Sequence, residues 1–223
     1  ARLVVREGCD LGVAFDGDGD RAILVDASGR IVDGDAVLLM CAKRMQAAGR
    51  LRGSTVVATV MSNIGLELAL RDLGIRLVRC PVGDKYVMEE LLRDNLSLGG
   101  EQSGHVIFPD FLYTGDGIVT ALNVIRVMAE TGRTLADLAG DLKTYPQVLV
   151  NLTVREKRDW MTMPAAARAI ADVEAGLAGR GRLLVRYSGT EPLLRVMIEG
   201  ERQEEIAAWA EQIVAAVRAE IGI

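Results

Sequence analysis

Asp16, Asp18 and Asp20 alternate with glycines in the run FDGDGDR, and Arg21 follows them directly. Three like charges held at about 4 Å repel each other by about 1 kcal/mol per pair even in water, and a divalent cation relieves that repulsion. Ligand oxygens favour Mg²⁺ or Ca²⁺ over Zn²⁺. The run therefore predicts a cation site, with a solvated acidic turn as the alternative. An EF-hand is excluded, because its sixth and twelfth positions hold Arg21 and Ala27 instead of Gly and Glu.

A second polar run, GGEQSGH over residues 99–105, offers groups that suit a sugar. If the segment is extended, Glu101 and Ser103 point to one side, where a carboxylate and a hydroxyl match paired sugar hydroxyls or an amine. His105 is the only histidine in the chain. Imidazole is the side chain best suited to proton transfer near neutral pH, so His105 is a candidate acid or base, with a structural role as the alternative.

The third run, RYSGTEP, lies between two predicted strands and has the composition of an anion cradle. The Arg186 guanidinium can make a bidentate contact with phosphate, while Ser188, Thr190 and the amide of Gly189 supply short-range donors. Arg195 on the second strand adds charge or lies at the surface. A hairpin with a hydroxyl-rich turn is the alternative to a phosphate site.

Lys85 follows a predicted strand in the run PVGDKY and stands at the start of a predicted helix. The helix macrodipole favours anions at that end, so an anionic ligand nearby would explain the cation. Asp84 as the helix cap is the other interpretation. The pair Ser62–Asn63 also lies between a strand and a helix, where α/β units contact ligands, although capping explains it equally well.

The three runs together resemble the loops of a known enzyme family. FDGDGDR resembles the metal-binding loop of the α-D-phosphohexomutases, which move a phosphoryl group between the C1 and C6 oxygens of a hexose. GGEQSGH is similar to that family's sugar-recognition loop, and RYSGTEP to its phosphate-binding loop; they occur in the family's order. Four segments, GEQSGH, MSNIGLE, PVGDKYVME and RYSGTEP, are closest in sequence to those of family members that interconvert glucosamine 6-phosphate and glucosamine 1-phosphate. Mannose and glucose phosphates remain alternatives.

The resemblance implies a phosphoserine relay through a hexose bisphosphate intermediate. It implies Mg²⁺ on Asp16, Asp18 and Asp20, with Arg21 steadying the serine phosphate and His105 as the general acid or base. The relay serine lies in a first domain in the family, and no serine in this chain has that setting. We therefore expect the parent protein to be a mutase, and this chain alone to bind hexosamine phosphate without turnover.

Two further alternatives lie outside that mechanism. A metal-dependent phosphatase also places an Asp-rich loop after a strand, but it needs an Asp nucleophile with a lysine or threonine partner set. Gly17, Gly19 and the separate GEQSGH loop do not fit it. A non-catalytic sugar-phosphate-binding fragment stays open.

The amino-acid composition limits the binding partners and the cellular compartment that can be expected for this chain. The net charge of the 223-residue chain is −5, with no basic stretch, which argues against nucleic acid. The three widely spaced cysteines indicate neither a disulfide framework nor a zinc site, so a reducing cytoplasm is expected. No long apolar segment predicts a membrane span. A homodimer stays open as the oligomeric state.

Hydrophobic periodicity indicates the elements that must position these runs. Segments of helix and strand pattern alternate over 33–145, which predicts an α/β domain with a mixed β-sheet and flanking helices. Pro146 disfavours helix in the residue before it, and the pattern then changes, so 146–223 is predicted to be a small α+β domain. Residues 1–32 are expected to be the remnant of a preceding α/β domain that carries the metal loop.

Burial can be predicted for three of these elements. Residues 10–15 have the pattern of a buried strand, and 22–25 that of the next strand, which places the acidic run in a tight loop between strand ends. A helix is predicted over 115–131. Its apolar residues at near-helical spacing are Ile118, Leu122, Ile125 and Met128. We expect that stripe to pack in the core.

Overall fold

The computed structural model describes all 223 residues, which divide into two compact units, Ala1–Thr144 and Tyr145–Ile223. The first unit contains α1 (Arg2–Glu7), β1 (Leu11–Phe15), β2 (Ala22–Asp26), β3 (Ile31–Val32), α2 (Gly34–Ala47), β4 (Thr55–Thr59), α3 (Ile64–Asp72), β5 (Arg76–Cys80), α4 (Asp84–Arg93), β6 (Gly99–Gly100), β7 (Val106–Ile107), α5 (Gly117–Thr131) and α6 (Leu135–Ala139). The second contains β8 (Gln147–Thr153), α7 (Pro164–Leu177), β9 (Arg182–Tyr187), β10 (Leu193–Glu199) and α8 (Gln203–Ile221). Single 3₁₀ turns lie at Arg52–Ser54 and Trp160–Thr162.

The first sheet is antiparallel in the order β1-β2-β3, and the Phe15–Ala22 pair closes a hairpin around the acidic run. The prediction of a tight loop between two strand ends is therefore confirmed. The prediction that the first strand is buried is wrong, because β1 lies at the sheet edge and its residues are half-buried or exposed.

The second sheet has the order β5-β4-β6-β7. Strand β4 runs parallel to both β5 and β6, whereas β6 and β7 are antiparallel, so the predicted mixed sheet is confirmed. Helix α2 packs against α3, α5 and α6, and α4 packs on β4 and β6. The largest fully buried side chains of this unit are Leu24, Leu38, Leu39, Met40, Leu66, Leu70, Leu91, Leu98, Ile107 and Leu135.

Helices α2 and α5, whose first residues contact the candidate site loops, each begin with a side-chain cap. Asp33 accepts a hydrogen bond from the Ala36 N–H at the start of α2, and Asp116 accepts one from Val119 at the start of α5. Both caps satisfy amides that have no partner within the helix. Gly132, at φ 66°, ends α5 in the left-handed region that glycine adopts without strain.

Helix α5 has the predicted period, but the predicted face is wrong. Ile118, Leu122 and Ile125 are exposed, at 61%, 59% and 42% of their surface. The buried residues of the helix include Ala121 and Val124, which form a second apolar stripe beside the first. Since both stripes repeat at helical spacing, the neighbouring elements decide which one is covered.

The second unit is a three-stranded antiparallel sheet in the order β8-β10-β9, with α7 and α8 packed beside it. This confirms the predicted α+β architecture. Its buried core is made of side chains from β8, α7, β10 and α8, and half-buried residues of β9 pack against it. The buried residues include Leu152, Ile170, Val173, Leu194, Val196, Ile198, Ile206, Ile213 and Val217.

Candidate functional site

The run FDGDGDR, residues 15–21, is called the metal loop below. Its three aspartate side chains lie close together. One ligand oxygen from each of Asp16, Asp18 and Asp20 lies within 4.8 Å of the others. The loop backbone is fixed from outside, because the Gly117 N–H at the start of α5 donates to the Gly19 carbonyl at 2.9 Å. The hairpin and the helix start thus hold three carboxylates at the spacing of a cation site.

Arg21 lies against the carboxylates that precede it. Its Nε is 3.6 Å from Asp16 Oδ2 and 3.9 Å from Asp20 Oδ1, and its backbone N–H donates to Asp16 Oδ1 at 3.2 Å. One guanidinium balances one of three carboxylate charges. The loop therefore keeps an excess of negative charge that suits a divalent cation.

Desolvation and contacts within the metal loop shift the pKa values of two of these carboxylates. Desolvation raises the pKa of Asp20 above its ordinary value, and a hydrogen bond with Asp16 raises it further. Desolvation also acts to raise the pKa of Asp16, but hydrogen bonds from the Arg21 N–H and from Asp20 outweigh it and leave that pKa lowered. Asp20 Oδ1 is buried and accepts no hydrogen bond. An oxygen-only donor set with such an oxygen fits Mg²⁺.

His105 is joined to this cluster. Its Nδ1 lies 3.0 Å from Asp20 Oδ2, and the side chain is only 3% exposed. The other ring nitrogen, Nε2, is buried without a hydrogen-bond partner, against Gly115, where an added Cβ would lie 2.3 Å from it. The histidine is therefore packed behind the metal loop, with one nitrogen on a candidate ligand.

The run GGEQSGH, residues 99–105 and called the sugar loop below, forms a turn. The assumption of an extended segment is therefore wrong. The Gly104 N–H donates to the Glu101 carbonyl at 3.1 Å, and the Glu101 N–H donates to the His105 carbonyl at 2.8 Å. Gly104 has φ 91°, in the left-handed region that favours glycine. The turn still brings Glu101 and Ser103 together, since the Ser103 hydroxyl donates to Glu101 Oε2 at 3.2 Å.

The PVGDKY segment contacts the sugar loop through its backbone. The Gly83 N–H donates to Glu101 Oε1 at 3.0 Å, and Gly83, not Asp84, is the residue that caps α4. Lys85 is 74% exposed along its side chain, and its Nζ lies 3.8 Å from Glu89. The contacts of Lys85 are thus on its own helix, and a role in substrate binding stays a prediction.

The start of α2 supports the sugar loop, a role that sequence reasoning missed. The Gly34 N–H donates to the Gln102 carbonyl at 3.0 Å, and the Gln102 amide donates to Asp33 Oδ2 at 3.3 Å. A Cβ on Gly34 would lie 2.0 Å from the Glu101 carbonyl oxygen. The glycine directly after a helix-capping aspartate was the only signal in the sequence.

The metal loop and the sugar loop also meet directly. The Ala22 N–H, at the end of the metal loop, donates to the Gly104 carbonyl at 3.1 Å. Together with the contact between His105 and Asp20, this bond makes the two runs one cluster within the first unit. Carboxylates, a hydroxyl and an imidazole there can hold a cation beside a polyhydroxylated ligand.

Residues 188–192, called the phosphate turn below, belong to the second unit and connect β9 to β10. Arg186 and Arg195 are directly opposite each other in the strand register, an arrangement that is unfavourable for like charges unless anions are near. Arg195 Nη2 reaches Glu191 at 3.1 Å. Ser188 is 4% exposed, and its hydroxyl accepts a hydrogen bond from the Glu191 N–H at 3.2 Å, which closes the turn.

Comparison with known proteins agrees with this geometry. Residues 33–145 match the family model described as phosphoglucomutase/phosphomannomutase, alpha/beta/alpha domain III, and residues 149–216 match the C-terminal domain of the same family. The chain belongs to this family. Among its curated relatives, a phosphoglucosamine mutase of Solibacter usitatus is 54% identical over 221 residues, which are 99% of this chain and 50% of the relative. One of Desulforudis audaxviator is 54% identical over 216 residues, 97% of this chain and 48% of the relative.

Solved structures of other proteins show the same fold. A family protein from Burkholderia thailandensis has a TM-score of 0.74 at 23% identity, covering 98% of this chain and 48% of its own. The N-acetylphosphoglucosamine mutase of Aspergillus fumigatus, in complex with GlcNAc-6P and magnesium, has a TM-score of 0.71 at 23% identity, covering 94% of this chain and 49% of its own. The chain spans about half the length of the curated relatives it matches. No helix combines the length and the apolar character that a membrane span requires.

Sequence reasoning on this family member also missed Asp35 and Lys157. Asp35 is buried at the start of α2, where its Oδ2 accepts a hydrogen bond from the Asn63 N–H at 2.8 Å. Lys157 contacts the phosphate turn from a segment that is distant in sequence. Neither residue lies in a recognisable run, so only the fold shows which loops each one contacts.

Proposed function

We propose that this chain is part of a phosphoglucosamine mutase, which interconverts glucosamine 6-phosphate and glucosamine 1-phosphate. The observation that carries the proposal is the joined cluster of metal loop and sugar loop, in which His105 contacts Asp20 and the Gly104 carbonyl accepts from Ala22. Curated relatives of that name, at 54% identity over nearly the whole chain, support it. The reaction class is an intramolecular phosphoryl transfer through a phosphoserine and a hexose bisphosphate.

The metal loop has the residues for the charged part of this reaction. The carboxylates of Asp16, Asp18 and Asp20 would hold Mg²⁺. When bound, this ion would neutralise part of the negative charge of the phosphate. Arg21 lies half-exposed over the same carboxylates, so its guanidinium is placed to contact phosphoryl oxygens beside them. The aspartates and the arginine thus share the electrostatic stabilisation of the transferred group.

Glu101 and Ser103 are the proposed sugar contacts. Their hydrogen bond keeps the carboxylate and the hydroxyl on one side of the turn. The Glu101 carboxylate suits the amine of a glucosamine phosphate, whereas the Gln102 amide is bound to Asp33 and is engaged within the protein. Preference for the amino sugar therefore rests on Glu101 in this proposal, with Lys85 as an exposed cation for the ligand phosphate.

His105 has two roles open to it in this mechanism. As a general acid or base it must reach a sugar hydroxyl, which requires the buried ring to move from Gly115. As a positioning residue it would hold Asp20 in the orientation that the metal loop needs, and the 3.0 Å contact between Nδ1 and Asp20 Oδ2 supports this role. The geometry of the free chain favours the positioning role.

The phosphate turn is the proposed site for the sugar's non-reacting phosphate. Arg186 supplies the bidentate contact, and Ser188, Gly189 and Thr190 supply hydroxyl and amide donors. Calorimetric titration with inorganic phosphate tests this turn alone. Arg186→Ala should weaken binding about tenfold or more, whereas Arg168→Ala, an exposed arginine of the same unit, should leave it unchanged.

The sugar preference is tested by titrating glucosamine, glucose and mannose 6-phosphates in Mg²⁺. We expect glucosamine 6-phosphate to bind most tightly, and Glu101→Ala to remove that preference while the exposed control Glu7→Ala keeps it. A preference for glucose or mannose phosphate would favour phosphoglucomutase or phosphomannomutase instead.

The expected activity of the chain by itself is binding without turnover, because no serine here has the setting of the relay serine. Conversion of glucosamine 6-phosphate at an enzyme-like rate by a preparation free of full-length protein would contradict this. The three free thiols, Cys9, Cys41 and Cys80, agree with the proposed cytoplasmic setting.

A further inference from the structure

Lys157 contacts the phosphate turn without an acidic partner. Its Nζ donates to the Ser188 carbonyl at 2.6 Å and to the Gly189 carbonyl at 3.3 Å. An ammonium has three donors, and here two of them are used on consecutive backbone carbonyls of one turn. Hydrogen bonds from a charged donor are stronger than neutral ones, so this contact constrains the turn.

The segment that carries Lys157 is itself held at the end of β9. The Arg155 N–H donates to the Ile221 carbonyl at 2.9 Å, and the Tyr187 hydroxyl donates to the Arg158 carbonyl at 2.5 Å. The rings of Trp160 and Tyr187 lie 5.9 Å apart between centroids. Lys157 is thus fixed from both sides and acts on the residues that directly follow Tyr187.

The carbonyl contacts determine where the turn's amides point. All peptide bonds of the chain are trans, so each N–H is opposite to the carbonyl of the same peptide unit. When the Ser188 and Gly189 carbonyls face Lys157, the N–H groups of Gly189 and Thr190 face away from it. Neither amide donates a hydrogen bond to another protein group. Two adjacent free donors on one side of a turn are an anion cradle.

We propose that Lys157 is a positioning residue of the phosphate site: it binds the carbonyl side of the turn and so presents the Gly189 and Thr190 amides to a phosphate oxygen. This inference rests on the proposed function of the turn as a phosphate site. Arg186 and Arg195, opposite each other at the base of the turn, supply the charge, and Lys157 supplies the backbone orientation.

The test compares Lys157→Met with Lys157→Arg and with Arg158→Met in the full chain. The Arg158 side chain pairs with Glu156, so the control removes a neighbouring charge without touching the turn. Amide resonances and hydrogen-exchange rates of Gly189 and Thr190 are recorded by NMR without ligand, and inorganic phosphate is then titrated. Thermal unfolding of each variant verifies its fold.

We expect Lys157→Met to shift both amide resonances in the ligand-free chain and to weaken phosphate binding about tenfold. Lys157→Arg should restore most of both properties, because its guanidinium also donates to carbonyls. Arg158→Met should change neither. If the methionine variant loses its fold, any residual change in Lys157→Arg is used instead: amides and phosphate affinity that change together support the positioning role, and altered amides with unaltered affinity overturn it.

The two hypotheses fail in different ways. Unchanged ligand-free amides in Lys157→Met overturn the positioning role, and weaker phosphate binding with unchanged amides assigns Lys157 to direct contact with the anion instead. If the wild-type chain binds no phosphate but its amides respond to Lys157→Met, the orientation by Lys157 stands and the phosphate-site function of the turn fails.

Discussion

His105 and Asp20 are separated by most of the first unit in sequence, yet they form one contact. The three aspartates and the sole histidine were predicted as site residues from residue type and spacing alone. The contact between His105 and Asp20 was not predictable, since it depends on how the hairpin loop that closes at Ala22 meets the turn that contains Gly104. The burial of the histidine follows from that same meeting.

At this scale, His105→Asn should keep most of the cation affinity and His105→Ala should lose about tenfold, because only asparagine retains a donor that can reach Asp20. Binding of Mn²⁺ is measured by electron paramagnetic resonance, which needs no turnover. Asp20→Asn is the reference for a lost ligand. Equal affinity in the wild type and in His105→Ala would show that the hydrogen bond does not order the metal loop.

At the scale of elements, the start of α2 carries more of the site than its sequence indicates. Gly34 has no room for a side chain, since a Cβ would lie 2.0 Å from the Glu101 carbonyl oxygen. Asp33 binds Gln102, and Asp35 binds the residue that caps α3. One helix end therefore supports two loops.

Gly34→Ala should displace the sugar loop, weaken glucosamine 6-phosphate binding and destabilise the fold by about 1–3 kcal/mol. Gly49→Ala, just after the same helix, is the control. Nothing lies within 4 Å of its Cβ, but φ is +66°, so we expect a loss of about 1 kcal/mol with unchanged binding. Chemical denaturation and calorimetry separate the two effects, and unaltered binding in Gly34→Ala would contradict the proposed support.

Asp35 makes stability depend on pH. Burial raises its pKa to about 7, although hydrogen bonds from Asn63 and Ser62 act to lower it. Since the ordinary carboxyl value is lower, the folded state favours the protonated form. Stability is therefore highest below about pH 4 for this group and falls as pH rises to about 7, by up to about 4 kcal/mol.

Asp35→Asn should remove that dependence, because the amide is neutral at every pH and its oxygen can still accept from Asn63. The free energy of unfolding is measured by urea denaturation from pH 4 to pH 8 in both chains. A slope that persists in the asparagine variant would assign the dependence to other groups. Asp72→Asn, at an exposed aspartate at the end of α3, is the control.

Helix α5 shows the limit of prediction at this scale. Its period and extent were readable from the sequence, and its start differs from the predicted one by two residues. Its buried face was not readable, because Ile118, Leu122 and Ile125 alternate with a second apolar stripe. Amphipathic pattern selects a face only when one side of a helix is polar.

At the scale of the whole chain, each unit has its own core. The buried cluster of the second unit draws only on residues between Leu152 and Ile221. The alternation of elements and the change of pattern before Pro146 were sufficient to predict an α/β part and an α+β part. The pairing of strands in the order β8-β10-β9 required the tertiary structure.

The polypeptide 145–223 should therefore fold by itself, because no core side chain of that cluster comes from the other unit. We expect a cooperative thermal transition by circular dichroism and dispersed amide resonances. Inorganic phosphate should raise its melting temperature if the turn binds anions. If the polypeptide 145–223 does not unfold cooperatively, the second unit is not stable without the first.

Besides the contact between His105 and Asp20, the metal loop meets the sugar loop through backbone groups, and glycines lie where side chains would collide. A Cβ on Gly104 would lie 2.5 Å from the Ala22 carbonyl oxygen, and one on Gly117 would lie 2.6 Å from that of Arg21. In a saturation-mutagenesis map of this protein, these silent-looking glycines should be as intolerant as the aspartates. Substitutions that impair the candidate site should therefore occur as often at residues without a functional group as at those that have one.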